Sequence, residues 1–92
     1  MRTVISLPTW GELLGYRIFF WSNENDEPIH VHVCKGAPSA NATKIWIPPQ
    51  GNPTVANNNS HIPQKDLNRI LKGISLNKES IVFGWYQHFG MK

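Results

Sequence analysis

The sequence predicts an α+β domain in which a small antiparallel sheet of three to four strands is followed by two C-terminal helices packed on one face. Residues 15–22 are rich in aromatic and β-branched residues, and residues 29–35 alternate between apolar and polar side chains, which is typical of paired strands. After residue 60 the apolar residues instead recur at intervals of three and four, which is the period of amphipathic helices. Strands early in the chain and helices late in it indicate an α+β order.

Three strands and a short fourth are predicted. The segments 15–22 and 29–35 are joined by the polar turn "NENDEP", so they are expected to form an antiparallel hairpin. The third strand is "TKIWIPP", residues 43–49, which ends at a pair of prolines. Within the asparagine-rich segment 50–60, a short fourth strand is expected around residues 54–56.

Two helices are predicted in the last third of the chain. The first begins with Ser60 as N-cap or with Pro63 as the first helical residue, and it ends after Gly73. The second opens near Asn77. Each carries an apolar stripe, formed in the first helix by Leu67, Ile70, Leu71 and Ile74, and in the second by Ile81, Val82, Trp85, Tyr86 and Phe89.

Length and composition indicate a single globular domain, residues 1–92, with a cytoplasmic location. Of the 92 residues 40% are hydrophobic, and only 16% are charged, below the roughly 25% usual for soluble domains, which leaves scope for a protein partner. The lone Cys34 cannot form an intramolecular disulfide, which fits a reducing compartment. The apolar run near the N-terminus breaks at Pro8, and no apolar stretch is long enough for a membrane span, so neither a signal peptide nor membrane association is expected.

The distribution of charge is more informative than its net value of +3. Three of the six acidic residues, Glu24, Asp26 and Glu27, lie in one turn. The rest of the chain carries nine basic and three acidic residues, an excess of six positive charges. This excess is compatible with a polyanionic partner.

The sequence "HVHV" places His30 and His32 on one face of a strand, with Cβ atoms roughly 6.5–7 Å apart. Two imidazoles at this spacing are compatible with three roles. They could bind a divalent metal, with Cys34 as a third ligand; no other cofactor is expected. They could form the acid–base pair of a ribonuclease, with Arg17 holding a phosphate. They could also be ordinary histidines on the polar face of a half-exposed strand. Glu24, in the preceding turn, is a candidate to orient one of them.

A basic stripe is predicted on the first helix. At about 100° per residue, Lys65, Arg69 and Lys72 fall within roughly 60° of one another, opposite the apolar stripe. Three cations on one exposed face could follow the phosphates of a nucleic acid. An ordinary solvated helix face has the same appearance.

The C-terminal "FGWYQHFG" combines several rings that could stack on bases. Helical spacing places Trp85 and Phe89 on the core stripe, so plain packing is the competing interpretation. His88 lies at the edge of the stripe and is a candidate third imidazole for the strand pair.

The ordered motifs resemble a family of small bacterial proteins catalogued as domain of unknown function 4160. The resemblance is carried in order by "PTWGELLGYRIFFWSNENDEPIHVHV", "TKIWI", "KDLNRIL" and "WYQHFG", which together span nearly the whole chain. Ile29 departs from the family pattern, where a second proline is usual, and the segment 50–60 is longer than usual. The residues that match the central motif are Ser22, Asn23, Glu24, Pro28, His30, His32 and Val33.

The resemblance implies no established activity. It implies a small protein encoded beside another small protein, in operons that resemble toxin–antitoxin modules. We therefore expect a module that binds this neighbouring protein, with a nucleic-acid contact through Lys65, Arg69 and Lys72. The alternatives are a metal-independent ribonuclease that uses His30 and His32, and a metal-binding protein that uses the same pair.

Overall fold

The computed structural model describes residues 9–20, 27–37 and 39–89. Within them, five strands form one antiparallel sheet in which each strand pairs with the next along the chain, and two helices follow. The α+β class is confirmed, but the sheet has five strands rather than three to four. The elements are β1 (Thr9–Leu13), β2 (Tyr16–Phe19), β3 (His30–Cys34), β4 (Thr43–Trp46), β5 (Thr54–Asn57), α1 (Gln64–Leu76) and α2 (Lys78–Phe89).

The strand that the sequence did not predict is β1. It pairs with β2 through a two-residue turn, Leu14–Gly15, in which both residues have positive φ, 56° and 82°. This turn requires left-handed backbone at both positions, and Asn-Gly is its usual signal. Because leucine stands at the first position and Gly11 interrupts the strand, the local sequence carries little sign of this hairpin.

The helices begin and end close to the expected positions, with one correction. Ser60 is not the N-cap of α1: Pro63 occupies that position, and its side chain makes no capping hydrogen bond. At the other end, the Asn77 side chain donates to the Gly73 carbonyl at 2.7 Å, and its carbonyl accepts from the Ile81 N–H at 3.0 Å. Asn77 therefore ends α1 and starts α2, which explains why the two helices follow each other so closely.

The main core lies between one face of the sheet and both helices. Cross-strand neighbours such as Ile18 and Val33 share this face, since the register pairs them directly. They pack against the apolar stripes of the two helices, as predicted, apart from Phe89, whose side chain lies outside the described residues. The buried residues of this core are Tyr16, Ile18, Phe20, Val31, Val33, Ile45, Ile47, Ile62, Leu67, Ile70, Ile74, Ile81 and Trp85.

The opposite face of the sheet is also buried at its centre. Phe19, Cys34 and Ala42 form a second, small apolar cluster, and β3 is buried along its whole length. Neither of the described helices is long and apolar enough to cross a membrane.

Candidate functional site

The predicted histidine pair lies at the centre of the sheet, on β3. The two rings are perpendicular (85°), and their centroids are 5.0 Å apart. The Nδ1 atom of His30 is 2.8 Å from the Pro28 carbonyl oxygen. Because a carbonyl oxygen only accepts hydrogen bonds, this contact places a proton on Nδ1 of His30.

The expectation that these histidines occupy a half-exposed face is wrong. His30 is 0% exposed and His32 is 6% exposed. The centroid of the His30 ring lies 5.5 Å from that of Trp46 and 5.2 Å from that of Trp85. The centroids of the His32 and Phe19 rings are 5.6 Å apart. The alternation of β3 is real, but aromatic side chains cover its second face, so polar side chains there are not in solvent. Among the described residues, these rings leave little surface of either imidazole accessible to a phosphodiester.

Arg17 lies on the histidine face, but it is not directly opposite a histidine. In the register it pairs with Cys34, while Phe19 is the residue opposite His32. Burial raises the pKa of the Cys34 thiol, and a hydrogen bond from the Ser39 backbone and the charge of Arg17 oppose this only in part. The thiol therefore stays protonated at neutral pH, a form that is a poor nucleophile and a poor metal ligand.

Lys44 is a residue of this region that the sequence analysis missed. It is the register partner of His32, its Nζ lies 4.4 Å above the Trp46 ring, and it forms an ion pair with Glu27 at 2.6 Å. The acidic turn was predicted to orient a histidine through Glu24, which lies outside the described residues. The acidic residue whose contact the structure describes, Glu27, instead faces Lys44.

A metal site that uses His30 and His32 would need at least one further ligand from the protein. In the described ranges, no group of three or more His, Cys, Asp or Glu side chains is placed to hold a metal ion. The side chain of His88, the candidate third imidazole, lies outside the described residues. The metal-binding hypothesis remains a prediction.

The basic stripe has the geometry that helical spacing predicts. Lys65, Arg69 and Lys72 are exposed on α1, and the buried residues of that helix lie on its other side. Asp66, the acidic residue in the first turn of α1, accepts a hydrogen bond from the Tyr16 hydroxyl at 2.9 Å. Among the described residues, none of the three cations forms an ion pair.

An open apolar groove runs between α2 and the adjoining ends of β3 and β4, and we call it the α2 groove. It has a volume of about 580 Å³, and a second depression of about 500 Å³ shares four of its residues. Phe83 is 62% exposed at its edge. Its lining residues are Ile29, Ile47, Pro49, Lys78, Glu79, Val82, Phe83 and Tyr86.

Of the two rings that line this groove, sequence reasoning named Tyr86, as part of the apolar stripe of α2, and missed Phe83. Trp85 is buried in the core, as the packing interpretation predicts, whereas Tyr86 is half-buried and lines the groove. Lys78 joins the start of α2 to the segment that follows β4, because its Nζ donates to the carbonyls of Pro49 and Gly51 at 3.1 and 3.2 Å. No sequence motif signals this contact, which joins positions almost thirty residues apart.

Comparison with known proteins gives one match. The family model described as "Domain of unknown function (DUF4160)" matches residues 15–86, most of the chain. No curated protein and no solved structure matches the chain.

Proposed function

The chain belongs to the DUF4160 family, a domain of unknown function, and on that basis we propose that it is the binding component of a toxin–antitoxin-like pair. Its partner is the small protein encoded alongside it. A nucleic-acid contact through α1 is the second part of the proposal. The family itself has no established activity, so the surfaces of this chain carry the argument.

The α2 groove is the observation that most supports a protein partner. Phenylalanine and tyrosine are enriched in protein interfaces, and energetically dominant contacts are usually aromatic side chains seated in pockets. Phe83 keeps most of its ring in solvent beside a groove lined by apolar residues. Complete burial of such a side chain contributes about 1.5–3 kcal/mol, and a partner that covers this groove would gain part of it.

The groove can be tested by co-expressing the chain with the small protein encoded alongside it and measuring the affinity of the complex. We expect Phe83→Ser to weaken the complex by about tenfold or more, because it removes an exposed ring that makes little contribution to the fold. Val55→Ser is the matched control, since Val55 is another exposed apolar residue but lies on the edge strand β5. Equal affinities for wild type and Phe83→Ser would contradict a partner at this groove.

A nucleic-acid contact is favoured by the exposed basic stripe, whose three cations form no ion pair within the part of the chain that the structure describes. Each neutralised phosphate makes the slope of log affinity against log salt concentration more negative by about 0.7–0.9, so three contacts predict a slope of roughly −2 to −3. Lys65→Glu should weaken binding to any sequence and make the slope less negative. Binding that does not depend on salt would contradict this contact.

The ribonuclease alternative has less support, because both histidines are buried. A substrate would have to displace aromatic side chains before it could reach either ring. The effect of His30→Ala on stability distinguishes a nuclease role of His30 from a packing role.

A further inference from the structure

A surface that combines apolar and basic side chains lies at the tip of the β1–β2 hairpin, where the hairpin meets the C-terminal half of α1. A depression of about 380 Å³ is lined there by residues of both elements. Two leucines are exposed around it, Leu14 at 49% and Leu76 at 78%. We call this the hairpin-tip surface, and its residues are Leu13, Leu14, Arg69, Lys72, Gly73 and Leu76.

Leu14 is an unfavourable residue for its position in the fold. Its φ of 56° is a left-handed conformation that a branched apolar side chain rarely adopts and that asparagine or glycine adopts readily. The side chain does not compensate by entering the core, since about half of it is exposed. A strained, exposed leucine at a hairpin tip is better explained by a contact outside the chain than by folding.

Gly73 lets the tip of the β1–β2 hairpin pack close to the cations of α1. A Cβ atom at residue 73 would lie 3.0 Å from Leu13 Cδ1, so the absence of a side chain lets the hairpin rest against the helix. Leu14 and Leu76 consequently line the same depression as Arg69 and Lys72. The lining of this surface therefore combines apolar side chains with two positive charges, and we call the charged part its border.

Among the described residues, no acidic side chain forms an ion pair with Arg69 or Lys72, and Asp66, one turn before Arg69, instead accepts a hydrogen bond from the Tyr16 hydroxyl. The nearest acid along the hairpin, Glu12, pairs in register with Arg17, so it lies on the opposite face of the sheet from Leu13. Arg69 and Lys72 are exposed and without an ion pair among the described residues. A complementary occupant must therefore supply both apolar side chains and negative charge.

We propose that the hairpin-tip surface binds an acidic segment of a partner protein whose apolar side chains contact Leu14 and Leu76. This inference rests on the protein-partner half of the proposed function and is an alternative to its nucleic-acid half, since Arg69 and Lys72 would contact the partner's carboxylates in place of phosphates. A nucleic acid fits the surface less well, because its phosphates would leave both leucines uncovered. It would also use Lys65 as much as Arg69, although Lys65 does not line the depression.

The test is an NMR titration of the full, isotope-labelled chain with a synthetic peptide that carries leucines at helical spacing and glutamates elsewhere. The expected amide shifts cluster at residues 13–15 and 69–76. Leu14→Asn and Arg69→Glu should each weaken the peptide by about tenfold, as loss of an interface anchor typically does. Leu14→Asn should also raise the unfolding midpoint by a few degrees, since asparagine tolerates the turn conformation. The lower affinity can then be separated from misfolding.

Three results would overturn the inference. One is a titration that shifts other residues, or none at millimolar peptide. Another is equal binding of a peptide in which glutamine replaces every glutamate. The third is a uridine homopolymer that shifts the same amides and is weakened as strongly by Lys65→Glu as by Arg69→Glu, which would assign the stripe to nucleic acid.

Failure of the inference and failure of the proposed function are distinguishable. If the co-expressed partner binds through Phe83 and Leu14→Asn leaves that complex intact, the proposed function stands and the hairpin-tip surface is not its site. If the co-expressed protein does not bind but the acidic peptide occupies the surface, the inference stands and the proposed partner is wrong.

Discussion

At the scale of single residues, burying an imidazole has a cost that its surroundings must offset, and the neighbours of His30 do so. The Pro28 carbonyl accepts a ring N–H, and the rings of Trp46 and Trp85 lie perpendicular or tilted against it. Edge-to-face ring pairs contribute about 0.5–1.5 kcal/mol beyond simple burial. In this environment His30 acts as a packing and hydrogen-bonding residue of the sheet.

Replacing His30 by alanine should therefore destabilise the fold by about 2–4 kcal/mol, because it leaves a cavity at a fully buried site and removes the hydrogen bond to the Pro28 carbonyl. Chemical denaturation measures this change. His61→Asn is the control: His61 is exposed with φ of 58°, which asparagine tolerates, so its stability should stay close to wild type. A nuclease role requires the reverse pattern, in which His30→Ala abolishes RNA cleavage at unchanged stability.

Tyr16 gives a pH-dependent prediction. Its hydroxyl donates to Asp66 Oδ2 at 2.9 Å, and burial, this hydrogen bond and the Asp66 charge all raise its pKa above the usual value of 10.0. A group whose pKa is raised by folding contributes stability that is complete below the unfolded value and is lost as pH rises through the folded value.

Tyr16→Phe should cost about 1–2 kcal/mol at neutral pH through the lost hydrogen bond to a carboxylate. The difference in stability between wild type and variant should shrink as pH rises above about 10. Unfolding curves at several alkaline pH values measure this, with Tyr86→Phe as the matched control. A difference that stays constant into the alkaline range would contradict the assigned contact.

At the scale of elements, the asparagine-rich segment between β5 and α1 is held by specific side-chain bonds. The Thr43 hydroxyl donates to Asn58 Oδ1 at 2.7 Å and lies 2.6 Å from Ser60 Oγ. Asn58 also binds both backbone groups of Ile62, accepting from its N–H at 3.0 Å and donating to its carbonyl at 2.9 Å. This network joins β4 to the start of α1 and orients the helix against the sheet.

Asn58→Ala should destabilise the protein by about 1–3 kcal/mol, because it removes the partner of both backbone groups of Ile62, while the Thr43 hydroxyl keeps its contact with Ser60. Hydrogen exchange should also show lost protection of the Ile62 amide. Asn59→Ala is the matched control, since Asn59 is its exposed neighbour in the same segment. Equal stability of the two variants would show that the network makes no contribution.

At the scale of the whole molecule, one core joins the sheet to both helices. The cluster includes residues of β2, β3, β4, α1 and α2, so no element with a large apolar surface packs separately from the rest. Shared packing of this kind produces cooperative unfolding in small domains.

We therefore expect a single unfolding transition. Tryptophan fluorescence reports on Trp85 in the core together with the three other tryptophans of the chain, and far-ultraviolet circular dichroism reports on the helices. The two should give the same midpoint. Separate midpoints would contradict a single domain over residues 1–92.

Local pattern in the sequence determined the α+β class, strands β2 to β5, and the buried stripe and the exposed cations of α1. These features depend on periodicity within one element, and the period of two or 3.6 is visible in the residues themselves. Even β5, which a single valine and two small residues indicate, was found near its true position.

Only the tertiary structure decided which polar residues are buried and which apolar residues are exposed. His30 follows a strand pattern that also describes a half-exposed face, and its burial comes from rings that are distant in sequence. Leu14 is an apolar residue of the kind that usually lies in a core. Its exposure comes from the turn that the pairing of β1 with β2 imposes. Burial depends on what packs against a side chain from elsewhere in the chain, and the spacing of residues within one segment does not contain that information.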